Sequence, residues 1–141
     1  SYIALLLLFL SCSKEEEEGN LEPYISFESM TPTTVNELVE EIVIKIKYRD
    51  DDGDLGENGD AAVKNLFVTD SRNEVVTSFR VRQLAPDNSS IAIVGTLSIT
   101  IDPLLITDGS TSEKGAFAIY MVDRAENKSN VITTTEFTVN K

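Results

Sequence analysis

Histidine and tryptophan are both absent from this chain of 141 residues, and Cys12 is its only cysteine. The missing histidine excludes the histidine-based triads and acid–base pairs. With no second cysteine either, the usual zinc, copper and iron sites are excluded as well. A lone cysteine leaves no internal disulfide, so stability has to come from packing and from any bound metal. Positive charge is scarce: 12 lysines and arginines face 24 acids, a formal net charge of −12. Such a chain repels phosphate backbones, which argues against nucleic acid as a partner, and it is disfavoured at anionic lipid head groups. Oxygen-ligand cations, calcium above all, are what this composition can still bind. No segment carries a long 3.6-residue repeat, and no internal repeat is visible.

What is present begins with an apolar run over residues 2–10, followed by Ser11, Cys12 and then Ser13-Lys14-Glu15-Glu16-Glu17-Glu18. The run is close to the apolar region of a secretion signal and far short of the roughly 20 residues needed to span a bilayer. Small Ser11 stands where a signal peptidase tolerates little bulk. The segment resembles a bacterial lipoprotein signal, with Phe9 where leucine is usual, and Cys12-Ser13-Lys14-Glu15-Glu16 resembles the export signal of Bacteroides-type surface lipoproteins. That resemblance implies a signal peptide over 1–11 with a truncated start, a lipidated Cys12, and an outer-membrane protein exposed at the cell surface. The membrane link would be the acyl chain alone. Residues 12–22 then read as an acidic tether, kept extended by like charges.

Residues 23–141 are long enough for one domain with its own core. The clearest alternation sets Ile42, Ile44, Ile46 and Tyr48 against Glu41, Lys45, Lys47 and Arg49, a half-buried strand with one wet face. Further strands are expected over 24–30, 63–70, 74–84, 91–102, 116–123 and 131–139. Turns fall at Thr31-Pro32-Thr33, Ser71-Arg72-Asn73, Ala85-Pro86-Asp87-Asn88-Ser89 and Asp108-Gly109-Ser110. Leu104-Leu105-Ile106 reads as a helical turn or as an apolar plug closing one end. Seven strands in this length predict an all-β, seven-stranded antiparallel β-sandwich. The stretch Asp123-Arg124-Ala125-Glu126-Asn127 resembles the final hairpin of bacterial immunoglobulin-like domains, which implies an immunoglobulin-like or fibronectin-like sandwich lacking the cysteine pair and core tryptophan of antibody domains.

The most distinctive segment is Asp50-Asp51-Asp52-Gly53-Asp54-Leu55-Gly56-Glu57-Asn58-Gly59-Asp60. Calcium takes six to eight oxygens, several from carboxylates, on a backbone able to wrap the ion. Asp50, Asp52 and Asp54 alternate, and Gly53, Gly56 and Gly59 supply backbone freedom. It is not an EF-hand, because Leu55 and Ala61 occupy the places of the required Gly and Glu. The run from Tyr48 to Gly56 resembles the Tyr-x-Asp-x-Asp-Gly-Asp-Leu-Gly stretch of many Bacteroides-type surface lipoprotein domains. In a sandwich, loops 50–62, 85–89 and 123–130 share one pole, so Asp123, Asp87 and Asn127 are candidates to join Asp50, Asp52 and Asp54 around a calcium ion. The alternative is a solvated turn whose Asp and Gly residues satisfy turn geometry.

Paired carboxylates alone can hydrolyse glycosides, but that chemistry needs a sugar cleft, usually lined with aromatics. Phe27, Tyr48, Phe67, Phe79, Phe117, Tyr120 and Phe137 fall in expected strands and read as core. No Gly-x-Ser-x-Gly or phosphate-loop pattern occurs. The chain is therefore expected to be no enzyme but a monomeric surface module that binds a protein or glycan. The alternative is a spacer or subunit of an outer-membrane complex without its own ligand.

Overall fold

The computed structural model describes residues 21–141. The signal segment 1–11, Cys12 and most of the tether lie outside the described residues. Among the described residues no helix is long and apolar enough to cross a membrane. The fold is all-β. Its strands are β1 (Tyr24–Thr31), β2 (Thr34–Asn36), β3 (Ile42–Asp50), β4 (Leu66–Asp70), β5 (Val76–Phe79), β6 (Ile93–Ile101), β7 (Ser112–Gly115), β8 (Phe117–Met121), β9 (Ile132–Thr133) and β10 (Phe137–Asn140).

These strands form three sheets, in the orders β1-β3-β6, β5-β4-β8-β9 and β2-β10-β7. The two larger sheets are antiparallel and consistent with a β-sandwich. One apolar cluster joins all three: Ile42, Ile44 and Ile46 from β3, Leu66 and Val68 from β4, Ile119 and Met121 from β8, and Val35, Phe137 and Val139 from the small sheet. The expected alternation in β3 holds, with Ile42, Ile44 and Ile46 fully buried and Lys45 and Lys47 exposed.

The described residues thus hold ten strands rather than seven, and β2 runs parallel to β10. Two short strands, β2 and β7, fall in segments read as connections. The single strand expected over 131–139 divides in two because a side chain takes over the ladder. Thr134 Oγ1 accepts the Phe117 N–H at 3.0 Å and donates to the Thr135 carbonyl at 2.8 Å, after which the chain leaves β8 and joins β7 and β2. The strand expected over 74–84 is cut short for a similar reason. The buried Asn65 amide accepts the Val81 N–H at 2.7 Å and donates to the Val81 carbonyl at 2.8 Å, standing in for a strand neighbour.

Leu104 and Ile106 pack against the core without forming a helix, so the segment is a plug. Phe117 and Phe137 are buried and stacked at 4.6 Å. Phe67 and Tyr120 correct the expectation of an all-core set: alternation from buried Leu66 and Ile119 turns them to the outer face, half-buried and stacked at 4.9 Å.

Candidate metal centre

Parity places the first carboxylate. The inward face of β3 runs Ile42, Ile44, Ile46, Tyr48, and two residues further it must present Asp50, which is 1% exposed. The same arithmetic on β8, whose inward residues are Phe117, Ile119 and Met121, buries Asp123 just past the strand end. The two larger sheets therefore each end their core face in an acid.

The segment after β3 is then held back over this end of the core. Leu55 is fully buried, an anchor that no strand pattern signalled. Its N–H donates to Asp50 Oδ2 at 2.7 Å, and its carbonyl accepts the Leu84 N–H at 3.3 Å. Glu57 pairs with the 81–83 segment through its N–H to the Val81 carbonyl (2.8 Å) and its carbonyl to the Gln83 N–H (3.0 Å). Gly53 has φ +72°, and a Cβ there would stand 2.2 Å from the Ile91 carbonyl oxygen, so only glycine fits. From the last hairpin, the Arg124 main chain donates to the Asp54 carbonyl at 3.3 Å and its guanidinium to the Gly56 carbonyl at 2.6 Å. Residues of loops 50–62 and 85–89 line one cleft, and Arg124 ties loop 123–130 to the same segment, so the three loops gather at this end of the core.

At this pole Asp50, Asp52 and Asp54 each bring a carboxylate oxygen within 4.8 Å of the others. In all three residues Oδ1 is buried and has no hydrogen-bond partner among the described residues. Among the described residues no basic side chain forms an ion pair with these acids or with Asp123. The cost appears as raised proton affinity. Burial, reinforced by the neighbouring Asp52 and Asp123 and opposed by the Leu55 N–H, pushes Asp50 up to about 6. Burial followed by the charges of Asp123, Asp52 and Asp50 pushes Asp54 up to about 7.

Asp123 is thus within electrostatic reach of two of the three. Its carboxylate accepts the Asn127 N–H at 2.8 Å and the Asn127 side-chain amide at 3.0 Å, so Asn127 orients Asp123. Asp87 is not drawn into the cluster. Its Oδ1 accepts from Gln83 Nε2 at 2.9 Å, on the wall of a neighbouring cleft. The donor set is oxygen only and anionic, and its orphaned buried oxygens suit a hard cation of calcium's kind. Comparison with known protein families, with curated proteins and with solved structures gives no match.

Proposed function

We propose that the chain is a lipid-anchored module on the surface of a Bacteroides-type bacterium, binding a partner rather than catalysing a reaction. In this reading Cys12 carries the anchor in the outer membrane, the acidic residues after it form a tether, and an immunoglobulin-like sandwich with an added small sheet faces outward. The anchor and location rest on the residues around Cys12. The immunoglobulin-like part is supported by the two antiparallel sheets and by the tight Asp123–Asn127 turn, with the third sheet as its departure from the simple form.

The loop pole is proposed to be locked by calcium. The observation that carries this is the set of buried, unpartnered Oδ1 atoms of Asp50, Asp52 and Asp54. Those three residues would hold the ion, and Asp123, oriented by Asn127, would close the site from the opposing sheet. The bound ion would supply the counter-charge that these carboxylates lack among the described residues and so tie the 50–57 segment to the β8 hairpin.

Calcium titration followed by thermal melting tests it. A ligand that binds only the folded state at about 100 times its Kd adds roughly 2.7 kcal/mol. Sites of extracellular modules often bind at about 10⁻⁴–10⁻³ M, so millimolar calcium should give part of that gain and magnesium less. The Asp52→Asn, Asp54→Asn double variant controls for general screening of a −12 chain. An equal calcium shift in that variant would leave the acidic loop a solvated turn.

A further inference from the structure

Among the described residues both large sheets end in an unpaired strand, and these two edges face one cavity. β6 is the outer strand of one and β5 of the other. A cavity of about 390 Å³ opens between these edges, bounded by Phe79, Val81, Leu97 and Ile99, with Arg80 at its rim. Natural sheets protect exposed edges with charge, proline or bulges. The opposite edge of the first sheet has such protection: β1 carries exposed Glu28 at a register shift. β6 has none. Its nine residues, Ile-Val-Gly-Thr-Leu-Ser-Ile-Thr-Ile, include no charge and no proline, and their register with β3 is unbroken.

Arg80 also borders a second, larger cleft of about 720 Å³, shared with Arg82, Gln83, Glu57 and Asp87. Its two acids are already engaged, Glu57 by the Gly59 N–H at 2.6 Å and Asp87 by Gln83. The two arginines are not. Neither makes an ion pair, hydrogen bond or ring contact with its side chain among the described residues, and Arg80 Nε is buried without a partner. In a chain with twice as many acids as bases, two idle guanidiniums lining one cleft call for an anion from outside.

We propose that this open side is a docking groove for an extended peptide of a partner protein. The peptide would add a strand to the free edge of β6, place an apolar side chain between the sheets, and deliver a carboxylate to Arg80 and Arg82. Main-chain pairing gives such docking its affinity, and the apolar and cationic ends of the groove give it its choice of sequence. The carboxylate matches the two arginines whose side chains have no partner among the described residues, whereas a second copy of this acidic chain would meet net repulsion. The inference names a partner for the proposed surface module and depends on neither calcium nor the lipid anchor.

The test uses the full chain with and without calcium, amide NMR shifts and binding titrations. The probe is a synthetic heptapeptide of alternating threonine and valine ending in aspartate. Its comparators are the same peptide ending in an asparagine amide, and one N-methylated at alternate residues. The acidic peptide should shift amides over residues 80–82 and 97–100, and the asparagine amide should bind about tenfold more weakly or worse. N-methylation should abolish binding. Arg82→Met, at an exposed position, should weaken the acidic peptide by a similar factor and leave the amide peptide unchanged, while Arg49→Met should change neither. Equal binding of acid and amide peptides, or binding of neither, overturns the proposal. So does sedimentation showing that the chain dimerises through the 97–100 edge, which would make a second copy the occupant. Because the melting response to calcium is read separately, failure of the groove and failure of the metal centre give different results.

Discussion

Without bound metal, the protein should lose stability as pH rises from 5 to 8, the reverse of what most acidic proteins do over the lower part of that range. The ordinary value for an aspartate is near 3.8, whereas Asp50 stands at about 6 and Asp54 at about 7. An acid whose value is higher when folded binds its proton more tightly in the folded state. Stability is therefore greatest below the unfolded value, falls as pH climbs through the interval up to the folded value, and is level above it. Between pH 5 and 8 Asp54 contributes about two pH units of this fall and Asp50 about one. At roughly 1.4 kcal/mol each, independent titration would cost about 4 kcal/mol. The charge of Asp50 is one of the causes that raise Asp54, so the two titrations are linked rather than additive and a loss of about 2 kcal/mol is expected. For a domain of this size that is roughly a 5–10 °C drop in melting temperature. The chain has no histidine, so no other side chain ordinarily titrates in this window. Melting in chelator at pH 5, 6, 7 and 8 reads the effect directly. Calcium requires the ionised carboxylates, so saturating calcium should flatten the profile at its upper end and act weakly at pH 5. Asp54→Asn should remove most of the slope. A flat metal-free profile, or an unchanged slope in Asp54→Asn, would show that these carboxylates are solvated and that the cluster is not a charge-starved site.

Three other outcomes are expected. Ile44→Ala or Ile46→Ala should cost roughly 2–5 kcal/mol in denaturant melts, because both side chains are fully buried, while Lys45→Ala and Lys47→Ala should stay within about 0.5 kcal/mol. Arg72→Met should destabilise by about 3–5 kcal/mol, because it strands Asp70 and Glu113, which pair with this buried guanidinium at 2.7 and 3.1 Å. Metabolic labelling with a fatty-acid analogue should mark the wild-type protein and miss Cys12→Ala; replacing Lys14, Glu15 and Glu16 by alanine should reduce cleavage by external protease, and unchanged accessibility would refute the surface signal.

The sequence pattern reveals the strands that alternate strongly and misses those whose partners are distant. β3 is legible because four inward positions repeat with period two, and burial follows from that period alone. β2 and β7 are too short to show a period, and they exist only because β10 lies between them. The ends of β5 and β9 depend on the side chains of Asn65 and Thr134 replacing backbone partners, which no local propensity encodes. At the pole, the acidic residues and glycines announce themselves. Leu55 as the anchor, Arg124 as the strap and the idle pair Arg80 and Arg82 do not, since each role is set by a chain segment far away in sequence. The exclusion of Asp87 has the same origin: its loop reaches the right pole, but Gln83 turns the carboxylate toward the neighbouring cleft.

The molecule holds its own control for the metal reading. Three strands end their inward face in aspartate: β3 at Asp50, β8 just past its end at Asp123, and β4 at Asp70. β4 and β8 run antiparallel, with Asp70 opposite Phe117 at the start of β8, so Asp70 lies at the other end of the sandwich from Asp123. There the buried acid is answered from within the chain. Arg72 reaches back to both Asp70 oxygens, spans to Glu113 and lies 5.1 Å from the centre of the Phe137 ring. Burial works against that guanidinium's charge, yet its hydrogen bonds and attraction to Asp70 and Glu113 hold its proton more firmly than usual. At the opposite pole Asp50 and Asp123 stand with two further acids, and Arg124, whose main chain reaches the Asp54 carbonyl, spends its side-chain hydrogen bond on the Gly56 carbonyl. A buried carboxylate needs a counter-charge or a proton. One end of the sandwich carries its counter-charge as an arginine. The other is built to hold protons at low pH and, on the reading proposed here, a cation at neutral pH.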